Sequence, residues 1–81
     1  VRAGELDLVA LGHGQVVFIE VKARSSSAFG SPASAVTATK QRRIRRLAAQ
    51  WLQQHPSARG HIRFDVVAVV GGHIEVTEEA F

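Results

Sequence analysis

Residues 5–22 read ELDLVALGHGQVVFIEVK, two strand-like runs around a glycine-containing turn. The first, ELDLVAL (5–11), alternates and then becomes apolar. The second, VVFIEVK (16–22), is apolar until Glu20 and Lys22 interrupt one of its faces. With GHGQ (12–15) between them, the pattern predicts a β-hairpin. If Leu11 faces Val16, paired positions sum to a constant, so Asp7 lies opposite Glu20 and Glu5 opposite Lys22. Side chains alternate along a strand, which places all four on one patch. Directly opposed residues have Cβ atoms roughly 4.5–5.5 Å apart. Three carboxylates and one ammonium are therefore expected to converge.

Two readings of that patch are open. One is a solvated strand face with a cross-strand Glu5–Lys22 salt bridge, of a kind that contributes little. It leaves Asp7 against Glu20 unexplained, because like charges directly opposite are destabilising. The other is a divalent cation between Asp7 and Glu20, which reverses the sign of that interaction. Mg²⁺ and Mn²⁺ are hard cations of this type, held by one or two carboxylates with waters and substrate phosphates.

Outward from the hairpin, SSSAFGSPASAV (25–36) is small, polar and punctuated by Gly and Pro, so a loop is expected. A helix follows from Thr37 or Thr39 to Gln54. Ile44, Leu47, Ala48, Trp51 and Leu52 recur at helical spacing, and Pro56 ends the run. HIRFDVVAVV (61–70) is Val-rich and reads as a strand buried on both faces. Gly71-Gly72 marks a second hairpin turn, and HIEVT (73–77) is the returning edge strand. The predicted order is β-β-α-β-β, a mixed α/β or α+β domain with a helix packed on a small sheet.

The helix adds its own polar signal. At about 100° per residue, Lys40 and Gln41 fall within roughly 40° and 60° of Ile44, on the inward stripe. Either they occupy a first turn that reaches water, or they point into the hairpin's polar site. Arg43 and Arg45 flank the stripe, and Arg42 and Arg46 point away from it. The net charge is only +3, yet five of the ten Lys and Arg lie in KQRRIRR (40–46). That asymmetry predicts one basic face whose partner is a polyanion. Phosphate contacts by such a face are independent of sequence and strongly salt-dependent.

Other residues carry structural expectations. His13, His55, His61 and His73 show no ligand spacing and are expected at the surface. Asp65 interrupts an apolar strand and is expected to be a structural acid, hydrogen-bonded near the strand start or paired with an Arg. Trp51 fits the core stripe of the helix. The 81 residues hold no Cys, which excludes disulfides and thiolate metal sites, and no apolar run long enough for a membrane span. No signal-peptide pattern opens the chain, so a cytoplasmic location is expected. With no Met and a start at Val1-Arg2-Ala3, the sequence is expected to be a fragment, or the ordered part of something longer.

Gly4-Glu5-Leu6-Asp7, thirteen residues ahead of Glu20-Val21-Lys22, resembles the split signature of the PD-(D/E)XK nuclease superfamily. GELDLVA, VVFIEVK, FGSP, AVTATKQRR and RFDVVAV, in that order, look like the YraN family. That is a bacterial family of predicted endonuclease-like proteins similar to archaeal Holliday junction resolvases. The resemblance implies a restriction-endonuclease-like fold, a mixed central sheet completed by the second hairpin and flanked by helices. It also implies an N-terminal helix that these residues lack, so residues 1–81 would be a single nuclease-like domain without it. Asp7 and Glu20 would be the Mg²⁺- or Mn²⁺-binding carboxylates, with the Val21 carbonyl as a further ligand. Lys22 would position or deprotonate the attacking water. Gln41 and Lys40 would support the site, and Glu5 would be an auxiliary ligand or a partner for Lys22. Arg24, Lys40, Arg42, Arg43, Arg45 and Arg46 would contact nucleic acid. The implied reaction is hydrolysis of a DNA phosphodiester, on branched or otherwise structured DNA, and action on symmetric junctions would imply a homodimer. The alternatives are a non-catalytic DNA-binding module that keeps the nuclease fold, or an interaction protein whose Ser-rich loop and basic helix dock an acidic partner. A basic amphipathic helix of this kind can also attach to an anionic membrane surface.

Overall fold

The computed structural model describes residues 6–24 and 36–81, Arg24 by its backbone alone. Glu5 and nearly all of the loop expected over 25–36 lie outside the described residues. The order is β1 (Leu8–Gly12), β2 (Gln15–Arg24), α1 (Ala38–Gln54), β3 (His61–Val70) and β4 (His73–Thr77), the predicted β-β-α-β-β. The four strands form one sheet in the order β1-β2-β3-β4. β1 pairs antiparallel with β2, β2 parallel with β3, and β3 antiparallel with β4. The parallel pair needs a crossover, and α1 lies within it. The architecture is an α/β domain with a mixed four-stranded sheet and one helix. No helix among the described residues is long and apolar enough to cross a membrane.

The first hairpin has the predicted register, with Leu11 opposite Val16. Its two-residue turn is His13-Gly14, both at positive φ (53° and 72°), the backbone sign that matches the twist of the flanking strands. The strand itself is shorter than expected. β1 starts at Leu8, and Asp7 sits in a bend just before it. Its side chain is turned to the backbone of β2, where the Val21 N–H donates to Asp7 Oδ2 at 2.9 Å. A carboxylate thus takes a donor that strand pairing would otherwise occupy.

In-register partners identify the faces of the sheet. Val16, Phe18, Glu20 and Lys22 of β2 share a face with Ile62, Phe64, Val66 and Ala68 of β3, and Val9 joins them from β1. α1 packs there through Ala48 and Trp51, with Ile44, Leu47 and Leu52 against the same cluster, so the predicted helical stripe is the packed one. Phe18 is at the centre. Its ring meets Trp51 edge-on at 5.8 Å and stacks on Phe64 at 5.5 Å.

The opposite face is not covered in the same way. Val21, Val69, Ile74 and Val76 are exposed there, while Asp65 is buried. β3 is therefore buried on its helix face and only partly on the other, which corrects the expectation of burial on both. The reason is that α1 is the one helix among the described residues, and it packs on one side. Asp65 fills the structural role expected of it. Arg63 Nε and Nη2 donate to its two oxygens at 2.9 and 3.0 Å, and the Glu79 N–H donates to Oδ1 at 3.1 Å. This ties the chain beyond β4 to the middle of the sheet. The four histidines are exposed as expected, and the His55 ring stacks on Trp51 at 4.0 Å.

Candidate active site

α1 and β2 run in opposite senses, and that makes the site. The second half of the helix covers the apolar start of β2, Val16 and Phe18. Its first half lies over Glu20 and Lys22. A pocket of about 190 Å³ opens between them, lined by Glu20, Lys22, Lys40, Arg43, Ile44 and Leu47. The two charged residues of β2 therefore stay on the helix face without entering the core. The strand passes from under the helix into a polar pocket within a few residues.

The carboxylates act on one another. Burial, and then the charge of Asp7, hold the Glu20 carboxyl above the usual glutamate range, and Lys22 only partly offsets this. Lys22 Nζ lies 3.5 Å from Glu20 Oε1, with the two side chains 24% and 19% exposed. Across the pocket the same situation appears with the opposite sign. The close approach of the Lys22 amino group, and repulsion from its charge, hold the Lys40 ammonium below the usual lysine range. Two crowded carboxylates and two crowded ammonium groups thus meet at the Glu20–Lys22 pair.

The helix cap decides which residue faces inward. Thr37 is the N-cap and accepts from the Lys40 N–H at 3.2 Å through Oγ1. Lys40 extends from this ordered turn into the pocket. Gln41 instead donates from Nε2 to the Val36 carbonyl at 3.1 Å and holds the entry to the helix. Periodicity treated the two alike, but the structure separates them. No acidic residue occupies the first turn, although the helix dipole favours anions there and disfavours the cations present. An anion bound in the pocket would offset both that penalty and the Lys22–Lys40 repulsion.

The basic cluster does not form the single face expected of it. Arg43 lines the pocket. Arg45 turns the other way, its guanidinium 4.7 Å from the centre of the Phe64 ring and 5.5 Å from that of Phe81. Arg42 donates to Thr39 Oγ1 at 3.3 Å, and Arg46 is exposed. Five cations within seven residues of a helix are spread around it by the 100° step. Arg24 ends β2, and its side chain lies outside the described residues. The stacking of Arg45 was not expected from sequence, because Phe81 is remote in the chain and only its docking beside Phe64 at 5.2 Å makes the platform.

Among the described residues no group of three or more His, Cys, Asp or Glu gathers as metal ligands do. The third carboxylate expected at the patch, Glu5, lies outside them. Asp7 and Glu20 alone still fit a hard cation. Such ions need only one or two carboxylates when waters and substrate oxygens complete the shell, and the charge of Asp7 acts on Glu20 directly. In an extended strand the N–H and C=O of one residue point the same way, so the Val21 carbonyl faces the side where its N–H meets Asp7.

The family model described as "Uncharacterised protein family UPF0102" matches residues 1–69. The chain belongs to this family. UPF0102 is the YraN family that the sequence motifs resemble. A UPF0102 protein of Frankia alni is 57% identical over 68 residues, covering 84% of this chain and 57% of the relative. One from Rhodococcus opacus is 47% identical over 85 residues, covering 99% of this chain and 72% of the relative. A third, from Mycolicibacterium vanbaalenii, is 52% identical over 77 residues, covering 95% and 64%. The chain thus spans between about half and three quarters of the length of these UPF0102 relatives.

Proposed function

We propose that this UPF0102 chain forms the nuclease-like part of a metal-dependent phosphodiester hydrolase acting on DNA, in a restriction-endonuclease-like fold. One observation carries the reading. The Glu20 carboxylate, on which the nearby Asp7 charge acts, lines one pocket together with Lys22, Lys40 and Arg43. A cation seat beside an anion seat is the charge pattern that a metal-bound phosphodiester needs.

Asp7 and Glu20, with the Val21 carbonyl, would hold Mg²⁺ or Mn²⁺. When bound, such an ion polarises a phosphoryl oxygen and lowers the pKa of a coordinated water. Lys22, fixed beside Glu20, would position the attacking water and offset charge on the phosphate. Lys40 and Arg43 would neutralise charge developing on the phosphate oxygens in a pocket that holds them in place beforehand. Gln41 would keep Lys40 in position through its bond to Val36, and Glu5 would add a ligand or pair with Lys22. Arg24, Arg42 and Arg46 would contact neighbouring phosphates. A cytoplasmic protein would meet such a substrate, and on symmetric branched DNA two copies would act together.

A second reading, a DNA-binding module without catalysis, is favoured by the presence of only two carboxylates at the site among the described residues. The test is cleavage of labelled four-way-junction, flap, single-stranded and duplex DNA in Mg²⁺ and Mn²⁺ by the complete polypeptide, with Glu20→Gln and Lys22→Ala alongside. Metal-dependent cleavage lost in both variants supports the hydrolase. Salt-sensitive binding with no cleavage, unaffected by chelator, supports the module instead.

A further inference from the structure

We infer that the pocket between β2 and α1 receives one unpaired nucleotide of a DNA strand. The inference rests on the reading of this site as a phosphodiester site and adds which form of DNA it accepts. The lining is divided by chemistry. Lys22, Lys40 and Arg43 supply cations, with the Glu20 carboxylate beside Lys22, whereas Ile44 and Leu47 present aliphatic surface backed by the core. A site for backbone phosphate alone has no use for that aliphatic wall. The phosphates of a regular duplex lie on its outside, with sugars and bases turned away from a surface that binds them.

Size narrows the occupant. At about 190 Å³ the pocket is smaller than the roughly 300 Å³ at which pockets for drug-sized ligands begin. It suits one sugar or base beside its phosphate, not a stacked dinucleotide. A base reaches such a pocket only after leaving the stack. That step costs least where the nucleotide is already unpaired, and apolar side chains receive the extruded ring. The cations hold the strand by its backbone, and the wall formed by Ile44 and Leu47 selects strands with an unpaired residue to insert.

The experiment is fluorescence anisotropy with the complete polypeptide in EDTA, so that binding is read apart from cleavage. The probes are a paired duplex, the same duplex with a one-nucleotide bulge, and one with a one-nucleotide gap. Bulged and gapped probes are expected to bind at least about tenfold tighter than the paired one. Leu47→Trp, which fills the pocket, should remove that preference and leave paired-duplex affinity within about twofold. Ile44→Thr, a milder change, should reduce the preference without removing it, provided circular dichroism shows both variants folded as the parent. Equal affinity for all three probes, or a preference that survives Leu47→Trp, overturns the inference. Micromolar binding of dTMP alone would assign the pocket to a free nucleotide and overturn it as well. A preference with no cleavage under any metal would leave the inference standing and remove the hydrolase. Cleavage without a preference would do the reverse.

Discussion

Phe18→Ala tests whether the core lies where β2 and α1 meet. Phe18 is 1% exposed, and its ring is held by Trp51 at 5.8 Å and Phe64 at 5.5 Å. Truncating a buried Phe to Ala costs about 3–5 kcal/mol, from lost transfer energy and the cavity left behind. The central placement between two rings argues for about 4 kcal/mol, since each aromatic pair adds about 0.5–1.5 kcal/mol beyond its area. A domain of this size is stabilised by roughly 0.05–0.15 kcal/mol per residue, about 4–12 kcal/mol in total. The variant should therefore lose a third or more of its stability, or fail to fold. For small domains 1 kcal/mol corresponds to about 4–8 °C, so Tm should fall by about 16–32 °C. The control is Ile74→Ala, on the opposite face and 65% exposed. It should stay within about 0.5 kcal/mol of the parent. Thermal unfolding followed by circular dichroism reads both. A large loss in Ile74→Ala, matching that in Phe18→Ala, would refute the reasoning, because it would mean that the second face is also core.

Four further outcomes are expected. Gly60→Ala should lower Tm clearly in the same melts, since a Cβ there would lie 2.3 Å from the Gly14 carbonyl oxygen in a backbone at φ +135°. The Glu20 carboxyl is easier to protonate in the folded chain than in the unfolded one, so its ionisation costs stability once pH exceeds the unfolded value. In EDTA, Glu20→Gln should therefore melt above the parent at neutral pH, and the gap should close as pH falls through the raised value to the usual glutamate range. A gap that widens on acidification would contradict the sign. Arg45→Ala should lower stability by about 0.5–1 kcal/mol through its lost ring contacts and barely change DNA binding, whereas Lys40→Ala should reduce the salt slope of binding by about 0.9.

Much of this was legible in short-range sequence. A short turn fixes hairpin register, so GHGQ between the two runs was enough to place Leu11 against Val16. The alternation of β2 was enough to put Glu20 and Lys22 on one face. Strand length was less legible, because GELD continues the alternation although Asp7 leaves the ladder to bind the Val21 N–H. Lys40 and Gln41 lie at similar angles from Ile44, and only a tertiary detail, the Val36 carbonyl that takes the Gln41 amide, tells them apart. Arg45 looked like its basic neighbours until Phe64 and Phe81 came together under it. The pocket was invisible for a related reason. It depends on where along β2 the helix begins, and that offset is set by the crossover.

The central claim is that Asp7 and Glu20 hold a divalent cation, and Mn²⁺ titration followed by the electron paramagnetic resonance of the free ion addresses it directly. The account predicts one saturable Mn²⁺ site per chain, abolished in Asp7→Asn and in Glu20→Gln and kept or tightened in Lys22→Ala, where a competing positive charge is gone. Absence of saturable binding, or a site unchanged by both carboxylate substitutions, would contradict it.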